Sequence, residues 1–258
     1  MDSILNFTDK VVIVTGASSG IGAEAARIFA KYGAKLTLVG RNEQRLGAVA
    51  QECKEKNGMR PLKILVDLVH PGSCETVIHK TVEKYGKVDV LVNCAGSFSL
   101  SSVFDETINT FDDIMALSLR VPFRLSQLAV PYLVKTKGNI INMSFSMTNK
   151  YRPGLLVANM ASAAMEKFSI QAAAELATEG VRVNIVSPGV TRTNMLSSLD
   201  INDPILTQDT YDFVSNFLPC GQVLEPKEVA LYICVVASGA FKNMTGANLV
   251  LDGAASLA

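Results

Sequence analysis

Apolar residues recur along this chain in two alternating rhythms. Short runs rich in β-branched residues, such as Val11–Thr15 (VVIVT), give way to stretches in which apolar positions return every three to four residues, as in IGAEAARIFAKYG. The first rhythm predicts buried strands and the second amphipathic helices. Further strand-like runs are LTLVG from Leu36, LKILVD from Leu62, VDVLVN from Val88, NIINMS from Asn139, VRVNIVSPG from Val181 and ANLVLDGA from Ala247. Helix-like segments lie between them. One is charged and ends near Gly58, the next runs through Tyr85, and a long pattern extends from about Phe104 to Lys135. LVANMASAAMEKF, from Leu156, opens another, and EPKEVALYICVVAS reads as the last. Such alternation from end to end predicts an α/β fold, a doubly wound parallel sheet of about seven strands with helices on both faces. No linker interrupts the pattern, so residues 1–258 are expected to form a single domain.

Composition narrows the function classes. The chain is 48% hydrophobic and 19% charged, enough to bury a full core. Twenty-four basic residues balance twenty-four acidic ones, so no overall field points to nucleic acid or an anionic membrane. The opening MDSILNFTDKVVIVTG has no basic-then-apolar leader pattern, and no apolar run approaches the ~20 residues that a membrane span needs. The five cysteines are odd in number and scattered, which suits free thiols in a reducing compartment. His70 and His79 are the only histidines and have no ligand-spaced partners. The expectation is a cytoplasmic, metal-free protein acting on small molecules or proteins.

The first glycine cluster, TGASSGIG from Thr15 to Gly22, leaves a strand and opens a helix. That arrangement lets backbone N–H groups and a helix N-terminus hold a pyrophosphate. Its glycine spacing is not the general G-x-G-x-x-G, and glycines at such turns also serve the backbone alone. The second strand ends in Gly40-Arg41, where an acid would suit the ribose hydroxyls of NAD. An arginine suits a 2′-phosphate, which favours NADP(H) over NAD(H), although a solvated helix-start residue explains it too. Asp67, closing the third strand, is placed to accept from an adenine amino group or to cap the next turn.

Thr15-Gly16-x-x-x-Gly20-x-Gly22, then Asn93-Cys94-Ala95-Gly96, then Pro188-Gly189 with Thr193, and finally LYICVVASGAFKNMTGANLVLDGA stand in order along the chain. In these motifs, from about residue 7 to residue 254, the sequence resembles the short-chain dehydrogenase/reductase family, with Cys94 where the family usually has a second asparagine. The resemblance implies a cofactor set of Thr15, Gly16, Ser18, Ser19, Gly20, Ile21, Gly22, Arg41, Asp67, Leu68, Asn93, Ala95, Gly96, Pro188, Gly189 and Thr193. It also implies a homotetramer or dimer.

Members of that family share an asparagine, a serine and a Tyr-x-x-x-Lys pair. The tyrosine moves a proton at the substrate oxygen, and the lysine supplies the charge that a phenol with a pKa of ~10 needs near neutrality. Anchored on IINMS, SAAMEKF and RVNIVSPG, the tyrosine position falls on Ala158 and the lysine position on Ser162. The serine position falls on Phe145 and the asparagine position on Ser118. No Tyr-x-x-x-Lys occurs anywhere in the chain. Ser144 and Ser146 flank Phe145, so a local bulge would bring a hydroxyl inward, but the proton donor would still be missing.

Ordinary carbonyl reduction or alcohol oxidation is therefore expected to be lost or very weak, with nicotinamide binding weakened and the adenine half untouched. The Phe145 ring is expected to fill space above Ala158, though an ordinary buried strand phenylalanine reads the same way. Tyr151, between Lys150 and Arg152, and the Cys94 thiol are the groups available to take over chemistry, against simpler roles in a solvated loop and in packing. Three readings stay open: a cofactor-binding sensor or partner subunit, an active oxidoreductase using other groups, and a structural subunit without a ligand. The segment from Thr191 to Gly221 would cover a substrate, whose identity its sequence does not name.

Overall fold

A computed structural model describes residues 4–105, 107–146, 148, 153–195 and 208–257, with backbone alone over 208–210. Its centre is one seven-stranded sheet in the order β3-β2-β1-β4-β5-β6-β7. The strands are β1 (Val11–Thr15), β2 (Lys35–Gly40), β3 (Leu62–Leu65), β4 (Val90–Asn93), β5 (Asn139–Met143), β6 (Arg182–Pro188) and β7 (Asn248–Leu251). Every pairing is parallel, with Val12 opposite Val90 and Leu36 across the switch point between β1 and β4. Because parallel sheets are covered on both faces, their strands read as continuous apolar runs. All five residues of β1 are buried.

Alternate residues of β1 feed different cores. Val12 and Val14 pack with α1 (Gly20–Lys31), α2 (Glu43–Asn57) and α8 (Pro226–Ala237). Ile13 packs on the other face with α3 (Ser73–Tyr85), α5 (Val121–Thr136) and α6 (Leu156–Leu176). Fully buried side chains such as Leu125 and Leu133 each contribute roughly 1.5–3 kcal/mol through removal from water. Two shorter helices, α4 (Asn109–Met115) and α7 (Gln208–Ser215), stand at the open ends of the strands.

Several boundaries differ from expectation. The fourth strand begins at Val90 because Asp89 is buried as an end group: its carboxylate accepts from the Val11 N–H and pairs with Lys10 and Lys87. The third strand stops at Leu65, and Asp67 turns the chain by accepting from the Val69 N–H. The long pattern from Phe104 to Lys135 is broken into α4, a π turn at Ala116–Arg120, and α5, which starts with Pro122 in its first turn. The last strand covers only Asn248–Leu251.

Candidate functional site

The glycine loop forms where β1 ends at the switch point. Thr15 is buried, and its hydroxyl accepts from the Cys94 and Ala95 N–H groups at 3.0 Å each while donating to the Val92 carbonyl at 3.3 Å. It stands behind the loop as a clamp between β1 and the turn after β4. Gly16 has φ +67°, and a Cβ there would meet the Ala95 backbone at 3.0 Å. A Cβ on Gly22 would come 2.5 Å from the Gly16 carbonyl oxygen. Side chains at these two positions are excluded by backbone, so the turn and α1 pack closely. Ser19 caps α1 with no side-chain hydrogen bond, and the first turn carries no acid. The leading amides are therefore left for an anion. Gly16, Ser18, Ser19, Gly20 and Ile21 all retain exposure along this rim.

Arg41 follows β2 and is 70% exposed, with its Nη1 3.1 Å from Asp67 Oδ2. Burial works to raise the Asp67 carboxyl, but the Val69 N–H and the Arg41 guanidinium outweigh it and hold the group below the ordinary carboxylate range. The two residues singled out for the adenine end thus face one another. Leu68 is buried beside them.

Asn93 is buried, donates through Nδ2 to Asn142 Oδ1 at 2.8 Å, and leaves its own Oδ1 without a partner. Asn142 in turn donates to Ser169 Oγ at 2.8 Å, and Ser169 to the Met165 carbonyl. This relay of amides fixes α6 against β4 and β5. Ala95 is half-buried and Gly96 exposed just beyond β4. Pro188 and Gly189 end β6 as buried residues, and Thr193 beyond them brings its Cγ2 to 3.1 Å from a Cβ built on Gly20.

Ala158 and Ser162 occupy successive turns of α6, Ala158 buried and Ser162 half-buried. Ser118 lies in the π turn, where its Oγ accepts from the Ser97 N–H at 3.4 Å. Phe145 is half-buried just beyond β5. Ser144 beside it donates to the Ser162 carbonyl at 3.5 Å and to Glu166 Oε1 at 3.2 Å. Thr148 donates to the same carboxylate at 3.2 Å and to the Phe145 carbonyl at 2.6 Å. Ser101 Oγ accepts from the Val157 N–H, tying the loop after β4 to the start of α6. The loops after β4 and β5 and the first turns of α6 therefore converge. Among these side chains the ionisable one is Glu166, a residue not singled out from sequence, although its place one turn after Ser162 was the available signal.

Cys94 is no activated thiol: part of the residue reaches the surface, but burial of the sulfur pushes it up to about 12. Tyr151, Lys150, Arg152 and residues 196–207 of the segment after Thr191 lie outside the described residues. Among the described residues no group of His, Cys, Asp or Glu is placed to hold a metal ion, and no helix is long and apolar enough to cross a membrane.

A family model described as enoyl-(acyl carrier protein) reductase matches residues 16–255. The chain belongs to the short-chain dehydrogenase/reductase family. An uncharacterized oxidoreductase of Thermotoga maritima is 31% identical over 250 residues, covering 96% of this chain and 98% of the relative. A short-chain dehydrogenase/reductase from Caenorhabditis elegans, solved with cofactor, superposes with a TM-score of 0.91 at 30% identity, covering 97% of this chain and 96% of that one. L-Sorbose reductase from Gluconobacter frateurii, complexed with NADPH and L-sorbose, gives a TM-score of 0.91 at 28% identity over 100% of both chains.

Proposed function

We propose that this member of the family is a single dinucleotide-binding domain that holds NADP(H) in preference to NAD(H), and that it has lost the family's acid–base machinery. The observation carrying this reading is the contrast between the glycine turn and the start of α6. At one, the turn itself, the uncapped start of α1 and Arg41 suit a pyrophosphate and a 2′-phosphate. At the other, α6 carries Ala158 and Ser162 at the tyrosine and lysine positions, while Phe145 and Ser118 stand at the serine and asparagine positions.

The residues present fit the dinucleotide. The orphaned Asn93 Oδ1 is a buried acceptor at the end of β4, and buried polar atoms of that kind call for a partner. In our reading Gly16, Ser18, Ser19, Gly20, Ile21 and Gly22 hold the diphosphate, with Thr15 supporting them. Arg41, Asp67 and Leu68 take the adenosine end. Asn93, Ala95, Gly96, Pro188, Gly189 and Thr193 flank the nicotinamide end, where the missing lysine weakens binding. Nicotinamide, when bound, supplies or accepts a hydride. What this chain lacks is the family's Tyr-x-x-x-Lys pair to move the matching proton, a role typically contributing ~10²–10⁴ in rate. The Phe145 ring fills the volume vacated at Ala158 and makes the pocket apolar there. The protein then works in the cytoplasm as a sensor or partner subunit, and it does so as a homo-oligomer. An open apolar groove of about 640 Å³ lined by Met115, Leu119, Phe123 and Phe168, among others, supports self-association through α5 and α6.

The test is a titration of purified protein into NADPH, and separately NADH, following cofactor fluorescence, with turnover of small carbonyls assayed beside it. Binding that prefers NADPH, without turnover, supports the reading. Absence of binding to either defeats it, and turnover at rates ordinary for the family defeats its second half.

A further inference from the structure

The segment after β6 carries a cluster that neither the family motifs nor the proposed pocket uses. Arg192 is pinned through its backbone, its N–H donating to the Leu224 carbonyl while Leu224 donates to that of Val190, at 2.9 Å each. Its guanidinium reaches Glu225 Oε1 through Nε at 3.2 Å and Asp212 Oδ1 through Nη2 at 3.3 Å. It also lies over the Tyr211 ring at 5.0 Å. Glu225 is the N-cap of α8, in a capping box with Glu228, and so belongs to the fixed body of the fold. Asp212 and Tyr211 belong to α7.

The Tyr211 hydroxyl donates to the Thr193 carbonyl at 2.7 Å and accepts from the Thr193 N–H at 3.2 Å. One phenol thus closes both backbone groups of the residue whose methyl lies over Gly20. A continuous chain of contacts runs from α8 through Arg192 and Tyr211 to Thr193 and the glycine loop.

We infer that Arg192 and Tyr211 are positioning residues that hold Thr193 down on the glycine loop and so set how long a bound dinucleotide stays. The inference rests on the reading that this loop holds NADP(H). Asp212 and Glu225 are 69% and 58% exposed, so each ion pair alone is weak. The fork of the guanidinium joins them, and stacking on the ring fixes its plane. A lysine cannot span both carboxylates while stacking.

The experiment is stopped-flow displacement of NADPH from the intact protein, in parallel with its melting temperature. Tyr211→Phe keeps the ring under Arg192 and removes only the hydroxyl. It should speed NADPH release about tenfold, about 1.4 kcal/mol, with the melting temperature and association rate little changed. Arg192→Gln should act similarly, Arg192→Lys should not restore the slow release, and the double variant Arg192→Gln/Tyr211→Phe should be no faster than the faster single one. Release from Tyr211→Phe at the wild-type rate, or effects that multiply in the double variant, overturns the inference. Failure of the wild type to bind NADPH overturns the dinucleotide reading instead, and the inference with it.

Discussion

Replacing Gly22 by alanine tests the glycine turn without adding or removing any polar group. Gly22 lies in the first turn of α1 and has no positive φ, so its backbone accepts alanine. Space is what is lacking. The new Cβ would sit 2.5 Å from the Gly16 carbonyl oxygen and 2.9 Å from its carbon. Ordinary contact begins at 3.4 Å, so the turn would have to retreat by about 0.9 Å. Gly16 itself lies near backbone, since a Cβ built on it would stand 3.0 Å from Ala95. Overpacking of this kind costs about 1–3 kcal/mol, and in a chain of this size each kcal/mol moves the melting temperature by about 2–4 °C. A fall of about 2–12 °C is expected, with NADPH affinity lowered at least about tenfold because the amides no longer converge. Gly47 in α2 is the control: its nearest prospective neighbour is Lys63 Nζ at 3.8 Å. Alanine there removes the penalty of glycine in a helix, about 0.5–1 kcal/mol, and should raise the melting temperature. Thermal melts of both variants and a fluorescence titration of each measure this directly. A Gly22→Ala protein that melts with the wild type and binds NADPH as tightly would refute the argument that this contact sets the turn.

Four further outcomes are expected. Arg41→Ala should weaken NADPH by about tenfold or more, a lost charge-assisted contact of roughly 1.5–3 kcal/mol, while leaving NADH within about twofold; equal losses would remove the case for a 2′-phosphate site. Rebuilding the pocket as Ala158→Tyr/Ser162→Lys/Phe145→Ser should create or raise carbonyl reduction by at least about a hundredfold, and no gain would mean that the pocket has diverged beyond these positions. Iodoacetamide at pH 8 should label the exposed Cys220 in native protein and spare Cys53 and Cys94, each pushed up by burial to about 12; mass spectrometry of the peptides decides. The Asp67 carboxyl is depressed in the folded state, so its contribution is present above the ordinary carboxylate pKa and lost as pH falls through its lowered value. Asp67→Asn should therefore flatten the acid limb of stability, and an unchanged limb would show the Val69 N–H and Arg41 together to be without effect.

The sheet was legible because parallel strands buried on both faces leave continuous apolar runs, and the glycine turn was legible because backbone contact there forbids other residues. Arg192 and Tyr211 were not, since their meeting depends on how α7 docks on the segment after β6, and each alone reads as a surface residue. Glu166 was overlooked for a related reason: a carboxylate on a helix flank usually faces water, and its partners Ser144 and Thr148 come from another element. The break of the long helical pattern into α4, a π turn and α5 had a proline as its warning, but not the register of the turn that holds Ser118.

The amide relay from Asn93 through Asn142 to Ser169 holds α6 in place from below, by groups that take no part in proton transfer. Ala158 and Ser162 ride on that helix outside the relay, Ala158 as a buried side chain and Ser162 receiving the Ser144 hydroxyl at its carbonyl. The groups of the relay and the side chains at the family's proton-transfer positions are therefore different ones. Side chains at those positions can be exchanged while the hydrogen bonds that seat the helix through the relay stay whole.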